Sequence, residues 1–118
     1  MRDFSDVVDS FASLPGVEIV DAEPSGMGTE ISIKRGNITA KFFVPNEGSE
    51  ADIVRILADG GKGSGGGEGR RLIDDSTELL DSMGINGLRV VDGSDFWNRQ
   101  PDFIPREGGV KVTHIKKW

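Results

Sequence analysis

The feature that most constrains this chain is a glycine run, Gly60–Gly69 (GGKGSGGGEG), between a short apolar run, Ile53–Ala58 (IVRILA), and a segment of helical periodicity, Arg70–Met83. A buried strand that breaks into glycines and re-enters as a helix presents unpaired backbone N–H groups at a helix N-terminus. Proteins bind phosphates with that arrangement. Without Cβ atoms the backbone takes positive φ readily and can lie directly against a ligand. Composition alone favours a flexible Gly/Ser linker. The strand before the run and the helix after it favour a binding loop.

A chain of 118 residues suffices for one domain, Met1–Trp118, that buries a core without metal or disulfide staples. Hydrophobic residues at 36% and charged residues at 29% fit a globular chain rather than a disordered one. No cysteine is present, which excludes disulfides, zinc–thiolate sites and cysteine nucleophiles. No apolar run is long enough to span a bilayer, so no membrane partner is expected. Met1-Arg2-Asp3 lacks the apolar core of a secretory signal, which predicts a cytoplasmic location. A formal net charge of −6 argues against nucleic-acid binding, which needs a positive field. It suits a cationic partner, a small-molecule amine or an amine on a protein surface, and is also common in soluble proteins.

Phe4, Val7, Val8, Phe11 and Leu14 recur at helical spacing over Asp3–Leu14, with Asp3 or Ser5 as N-cap and Pro15-Gly16 as terminator. Val17–Val20 reads as a strand, followed by turn residues through Pro24, Gly26 and Gly28. Glu30–Lys34 and Ile38–Val44 flank Arg35-Gly36-Asn37 and predict an antiparallel hairpin. Ile53–Ala58 carries apolar residues on both faces and predicts a central strand.

The helix after the glycines places Leu72, Ile73, Leu79, Leu80 and Met83 on one stripe and ends at Gly84. Leu88–Val91 is the next strand, and Asp95–Gln100 is a short amphipathic piece capped by Ser94. Pro101 and Pro105 break the chain, and Val110–Ile115 is the last strand. The fold class is α/β. A mixed sheet of about six strands is expected, with an N-terminal helix, a central strand–glycine loop–helix–strand unit and a short helix before the last strand. The crossover helix makes its flanking strands parallel.

Gly67-Glu68-Gly69-Arg70-Arg71-Leu72-Ile73 resembles the pyrophosphate loop of the GNAT-type N-acyltransferase superfamily. There a central strand leads into Arg/Gln-x-x-Gly-x-Gly/Ala with a Leu three residues on. Phe96-Trp97-Asn98-Arg99-Gln100-Pro101-Asp102-Phe103 is similar to that family's Phe-Tyr-x-x-x-Gly-Phe element, with one extra residue. The resemblance spans about Ile53–Phe103. It implies a GNAT-like fold, acetyl-CoA as cosubstrate and transfer of an acetyl group to an amine. Carried over residue by residue, it implies cosubstrate contacts at Leu57, Ala58, Asp59, Gly65, Gly66, Gly67, Glu68, Gly69, Arg70 and Arg71.

Three departures bear on function. Ser64 stands at the Arg/Gln position, the usual first strand is missing, and Trp97 stands where the family has a tyrosine that protonates the departing thiolate. Indole donates a hydrogen bond but is no acid near neutral pH, and the chain has no tyrosine. The resemblance therefore supports binding more directly than catalysis, and a non-catalytic binding, immunity or virion-associated protein is the alternative. Ser94 is a candidate relay, or simply the cap of the short helix.

Glu30, Glu47 and Glu50 are candidate bases beside ordinary solvated roles, and His114 is the single histidine. Lys62, Arg70 and Arg71 flank the loop and could neutralise phosphate. Phe96 and Trp97 read as core anchors of the short helix rather than ligand contacts, and Lys116-Lys117-Trp118 as a frayed basic tail unless a partner holds it. Gly61-x-Gly63-x-x-Gly66 also fits a dinucleotide fingerprint, with Asp92 past the next strand as a ribose acid. So glycine-rich a run nearly guarantees that match, and a Walker loop fails because Gly63 follows Lys62.

Overall fold

The computed structural model describes residues 1–59, 67–106 and 111–118. After helix α1 (Phe4–Ala12) come four strands in antiparallel succession: β1 (Glu18–Ser25), β2 (Gly28–Arg35), β3 (Ile38–Pro45) and β4 (Glu50–Ala58). Helix α2 (Glu68–Ser82) leads to β5 (Gly87–Val90), which lies parallel to β4. A 3₁₀ turn, Asp95–Arg99, and the short β6 (Ile104–Pro105) precede β7 (His114–Lys117). The sheet is mixed, seven-stranded and ordered β1-β2-β3-β4-β5-β7-β6.

The extra strand over the expected six is β6, a two-residue pairing with β7 at the sheet's edge. Pro105 is tolerated there because an edge position does not need its missing N–H. The last strand begins at His114 rather than Val110, and Thr113 N–H already bonds Val90 O at 2.8 Å. Val110 itself lies outside the described residues.

Local chemistry explains the hairpins. β1 and β2 meet at Ser25 and Gly28 across a two-residue turn, and β2 and β3 meet likewise at Arg35 and Ile38. Each turn begins with a glycine at positive φ, Gly26 at 57° and Gly36 at 61°, followed by a residue at negative φ. That is the II′ pattern, whose twist matches the flanking strands. The first strand therefore runs on through Pro24, beyond the expected Val20, into a tight hairpin. Gly28 is required for a different reason: a Cβ there would sit 2.5 Å from Val44 O and from Phe43 Cζ.

Both helices cover one face of the sheet: α1 packs on β1 and β2, α2 on β3 and β4, and the helices touch each other. In β3, Ile38, Ala40, Phe42 and Val44 are buried while Thr39, Lys41 and Phe43 on the opposite face are only half-buried. Phe11 of α1 meets Phe42 at a ring separation of 5.4 Å. The core is thus a single layer of aliphatic and aromatic side chains between helices and sheet.

The double-sided apolar pattern of Ile53–Ala58 has a different cause from burial on two faces. The β3–β4 register jumps between Lys41↔Arg55 and Phe42↔Ile53, a β-bulge that inserts Val54. The slip lets Ile53 and Ile56, three residues apart, both face the core, while Leu57 is 54% exposed on the other side. α2 ends as the glycine predicts. Gly84 takes φ 86°, its N–H bonds Asp81 O, and Ile85 N–H bonds Leu80 O, both at 3.0 Å. This is the Schellman pattern, which satisfies the last carbonyls of the helix.

Candidate functional site

The parallel pair β4–β5 is short. It is paired from Glu50↔Gly87 to Ile53↔Val90, with a last bond from Val91 N–H to Ile53 O at 2.9 Å. β4 then continues through Ala58 on β3 alone, and among the described residues no strand pairs with Val54–Ala58 on the β5 side. Asp59 N–H donates to Asn37 O on the β3 side at 2.7 Å. Strand alternation therefore turns the main-chain groups of Ile56 and Ala58 toward the opening. A crevice at the carboxyl ends of parallel strands is where open α/β sheets bind ligands.

The start of α2 lies against this opening. Gly69 is buried on β4, where an added Cβ would meet Ile56 Cδ1 at 3.4 Å and Phe96 Cε2 at 4.0 Å. Gly67 is the N-cap at φ 86°, a conformation that disfavours any residue with a Cβ. The bond Arg71 N–H to Gly67 O, 3.1 Å, begins the ladder among the described residues, so the N–H groups of Glu68, Gly69 and Arg70 precede it. The structure thus packs the start of α2, which carries Gly67, Glu68, Gly69, Arg70 and Arg71, on β4 through Gly69 and Ile56; of the expected contacts on β4, which are Leu57, Ala58 and Asp59, Leu57 is turned to the face away from the helices. Gly65 and Gly66 lie outside the described residues, as do Lys62, Ser64 and the fingerprint glycines Gly61 and Gly63.

The basic side chains at the helix start are already engaged. Arg70 forms a two-pronged bond with Asp102, one arm at 2.7 Å, and also reaches Gln100 at 3.2 Å and Asp74 at 2.9 Å. Lys116 holds the same Asp102 at 2.9 Å, and both cations flank the buried Phe103 ring. Hydrogen bonds from Arg70, aided by Lys116, hold the Asp102 carboxyl well below the usual carboxylate range against the opposing effect of burial. The same bond raises Arg70. Arg71 is paired with Glu68 on the exposed side of the helix. Among the described residues, anion contact at this helix start therefore falls to main-chain N–H groups.

Across the opening stands the 3₁₀ turn. Trp97 is wholly buried, its ring 4.8 Å from Phe103 and 5.0 Å from Phe96. Its Nε1–H donates to Asp92 Oδ2 at 3.1 Å, and Ser94 Oγ donates to the same oxygen at 3.1 Å. Ser94 makes no side-chain cap bond to the turn it precedes. His114 is buried on β7, Nδ1 3.0 Å from Thr113 Oγ1 and Nε2 3.1 Å from Asn98 Oδ1.

Glu30 is not part of this constellation. It lies on β2, opposite Phe43 of β3, on the face without helices, with Lys41 Nζ 4.0 Å away. Glu47 is exposed before β4, and Glu50 begins β4 beside Gly87, at the paired end of the β4–β5 ladder rather than the open one. Asp92, named above as a possible ribose acid, stands there instead, two residues past β5. Its sequence signal is a carboxylate ending an apolar strand, five residues before an indole.

A cavity of about 430 Å³ lies at the far end of α2, lined by Met1, Arg2, Asn46, Glu47, Gly48 and Met83. Arg2 there donates to the carbonyls of Met83, Pro45 and Gly48 at 2.8–3.1 Å, which ties the N-terminus to the end of α2. Among the described residues no group of His, Asp and Glu could hold a metal ion, and no helix is long and apolar enough to cross a membrane. Comparison with family models, curated proteins and solved structures returned no match.

Proposed function

We propose that the chain is a small acyl-CoA-dependent N-acyltransferase of GNAT-like architecture that transfers an acetyl group from acetyl-CoA to an amine. One observation carries this reading: β4 outlasts its pairing with β5 and leaves main chain facing an opening onto which the first turn of α2 is packed. The ligand that suits such an opening has an extended, amide-bearing arm and a pyrophosphate at one end. The arm would pair with Ile56 and Ala58, and the pyrophosphate would rest on the N–H groups of Glu68, Gly69 and Arg70. Bound acetyl-CoA supplies an activated thioester. The chain supplies position, exclusion of water by Phe96 and Trp97, and main-chain donors near the β4 bulge.

A second reading, an acyl-CoA-binding protein without catalysis, is favoured by Trp97. The indole is sealed in the core on Asp92, and no tyrosine replaces it as proton donor to the thiolate. Calorimetric titration with acetyl-CoA tests the shared part. Saturable heat and a raised Tm are expected, and the absence of both sinks the two readings together. Incubation with an amine panel, read by mass spectrometry, separates them: an acetylated product selects the enzyme, binding without product the second reading.

A further inference from the structure

We propose that Asp92 recognises the ammonium group of a cationic acceptor. Acetyl transfer to that amine, which must first lose a proton to solvent to become a nucleophile, rests on the acyltransferase reading, whereas recognition of the cation does not. Three observations lead there. Asp92 is the second residue past the last paired residue of β5, and Val91 makes the final bond to β4, so the carboxylate stands at the level where the parallel pair first opens. The side-chain bonds it accepts, from Trp97 Nε1 and Ser94 Oγ, both end on Oδ2. No described residue holds Oδ1.

Its third distinction is electrostatic. The other half-buried aspartates, Asp52, Asp75 and Asp102, each carry an arginine or lysine: Arg89, Arg35, and Arg70 with Lys116. Asp92 is equally half-buried, yet only neutral donors meet it among the described residues. A partly desolvated carboxylate with one oxygen pinned by a buried indole and the other held by no described residue is oriented for a cationic donor. The half-buried Phe96 ring, 4.0 Å from the position a Cβ would take on Gly69, offers an apolar wall beside the opening for the body of an amine. An alcohol of the same shape would gain the wall but not the charge-assisted bond.

Trp97 reports on this site, because its N–H bonds the carboxylate in question, and Trp118 is the built-in control, bonded to Asp81 at 3.2 Å. The test is ¹⁵N NMR of the two indole N–H resonances during titration with n-butylamine, phenethylamine and putrescine, beside n-butanol and phenethyl alcohol, with and without acetyl-CoA. Amines are expected to move the Trp97 resonance saturably, alcohols not, and Trp118 should stay still. Asp92→Asn keeps an oxygen for Trp97 and Ser94, so the indole dispersion should persist while amine affinity falls about tenfold. A Trp97 resonance silent to all three amines, an equal response to the alcohols, or an unchanged response in the Asn variant overturns the proposal. Amine binding without any binding of acetyl-CoA overturns the acyltransferase reading alone.

Discussion

Replacing Asp102 by Asn should lower stability at neutral pH by an amount that shrinks in acid. The Arg70 and Asp102 side chains are 28% and 37% exposed, so the pair is neither a solvated surface bridge nor a sealed one. Exposed pairs contribute about 0.2–1 kcal/mol, and breaking a buried pair costs about 3–5 kcal/mol. Two-pronged geometry raises the value and solvent screening lowers it, which places the loss at about 1–2 kcal/mol. For a domain of this size that is roughly 4–8 °C in Tm.

The sign with pH follows from the direction of the shift. The folded state holds the Asp102 carboxyl below its unfolded value of about 4, so its contribution is complete above that value. It is lost as pH falls from there through the folded-state value. Asn carries no charge at any pH. The gap between the wild type and D102N, read from urea midpoints, should therefore be equal at about pH 7 and pH 5 and smaller at about pH 3. A gap under about 0.3 kcal/mol at pH 7, or one that does not change down to pH 3, would refute the reasoning.

Gly28→Ala drives a methyl to 2.5 Å from the Val44 carbonyl and should cost about 3 kcal/mol, visible as a lower urea midpoint. Ser76→Ala should stabilise by about 0.5–1.5 kcal/mol in the same assay, since Ser76 Oγ is buried and finds no partner among the described residues, and alanine is the better helix former. Trp97→Ala empties the centre of the Phe96–Trp97–Phe103 cluster and should cost about 3–5 kcal/mol by thermal or chemical unfolding. Gly67→Ala forces a Cβ into φ 86° at the start of α2 and should cost about 1 kcal/mol, with weaker heat on acetyl-CoA titration because the first-turn N–H groups shift.

Much of the architecture is legible in one dimension because its signals are local. The stripe of Val7 and Phe11, the cap at Asp3, the turn at Gly36 and the stop at Gly84 each depend on neighbours within a few residues. Asp3 Oδ1 accepts from Asp6 N–H at 2.8 Å, as an N-cap does. The first strand reads too short because Pro24 and Gly26 look like loop chemistry until a partner strand turns them into an edge and a hairpin. The bulge at Val54 is invisible, since a slip in register is a property of β3 and β4 together. At the site, the nearness of β4 and the start of α2 can be read from the order of elements, whereas the engagement of Arg70 by Asp102 joins residues 32 apart.

By itself the amino-acid order determined the kinds of element, their succession and the parallel pair, through periodicity, caps and turn residues that act over one or two turns of chain. Only the tertiary structure decided which charges are spent and which remain available. Arg70, plausible as a phosphate ligand from its position beside the glycines, is held by a carboxylate from a distant segment, while Asp92 meets only neutral donors among the described residues. The physical reason is that electrostatic partnership depends on distance and desolvation in three dimensions, which sequence separation does not encode.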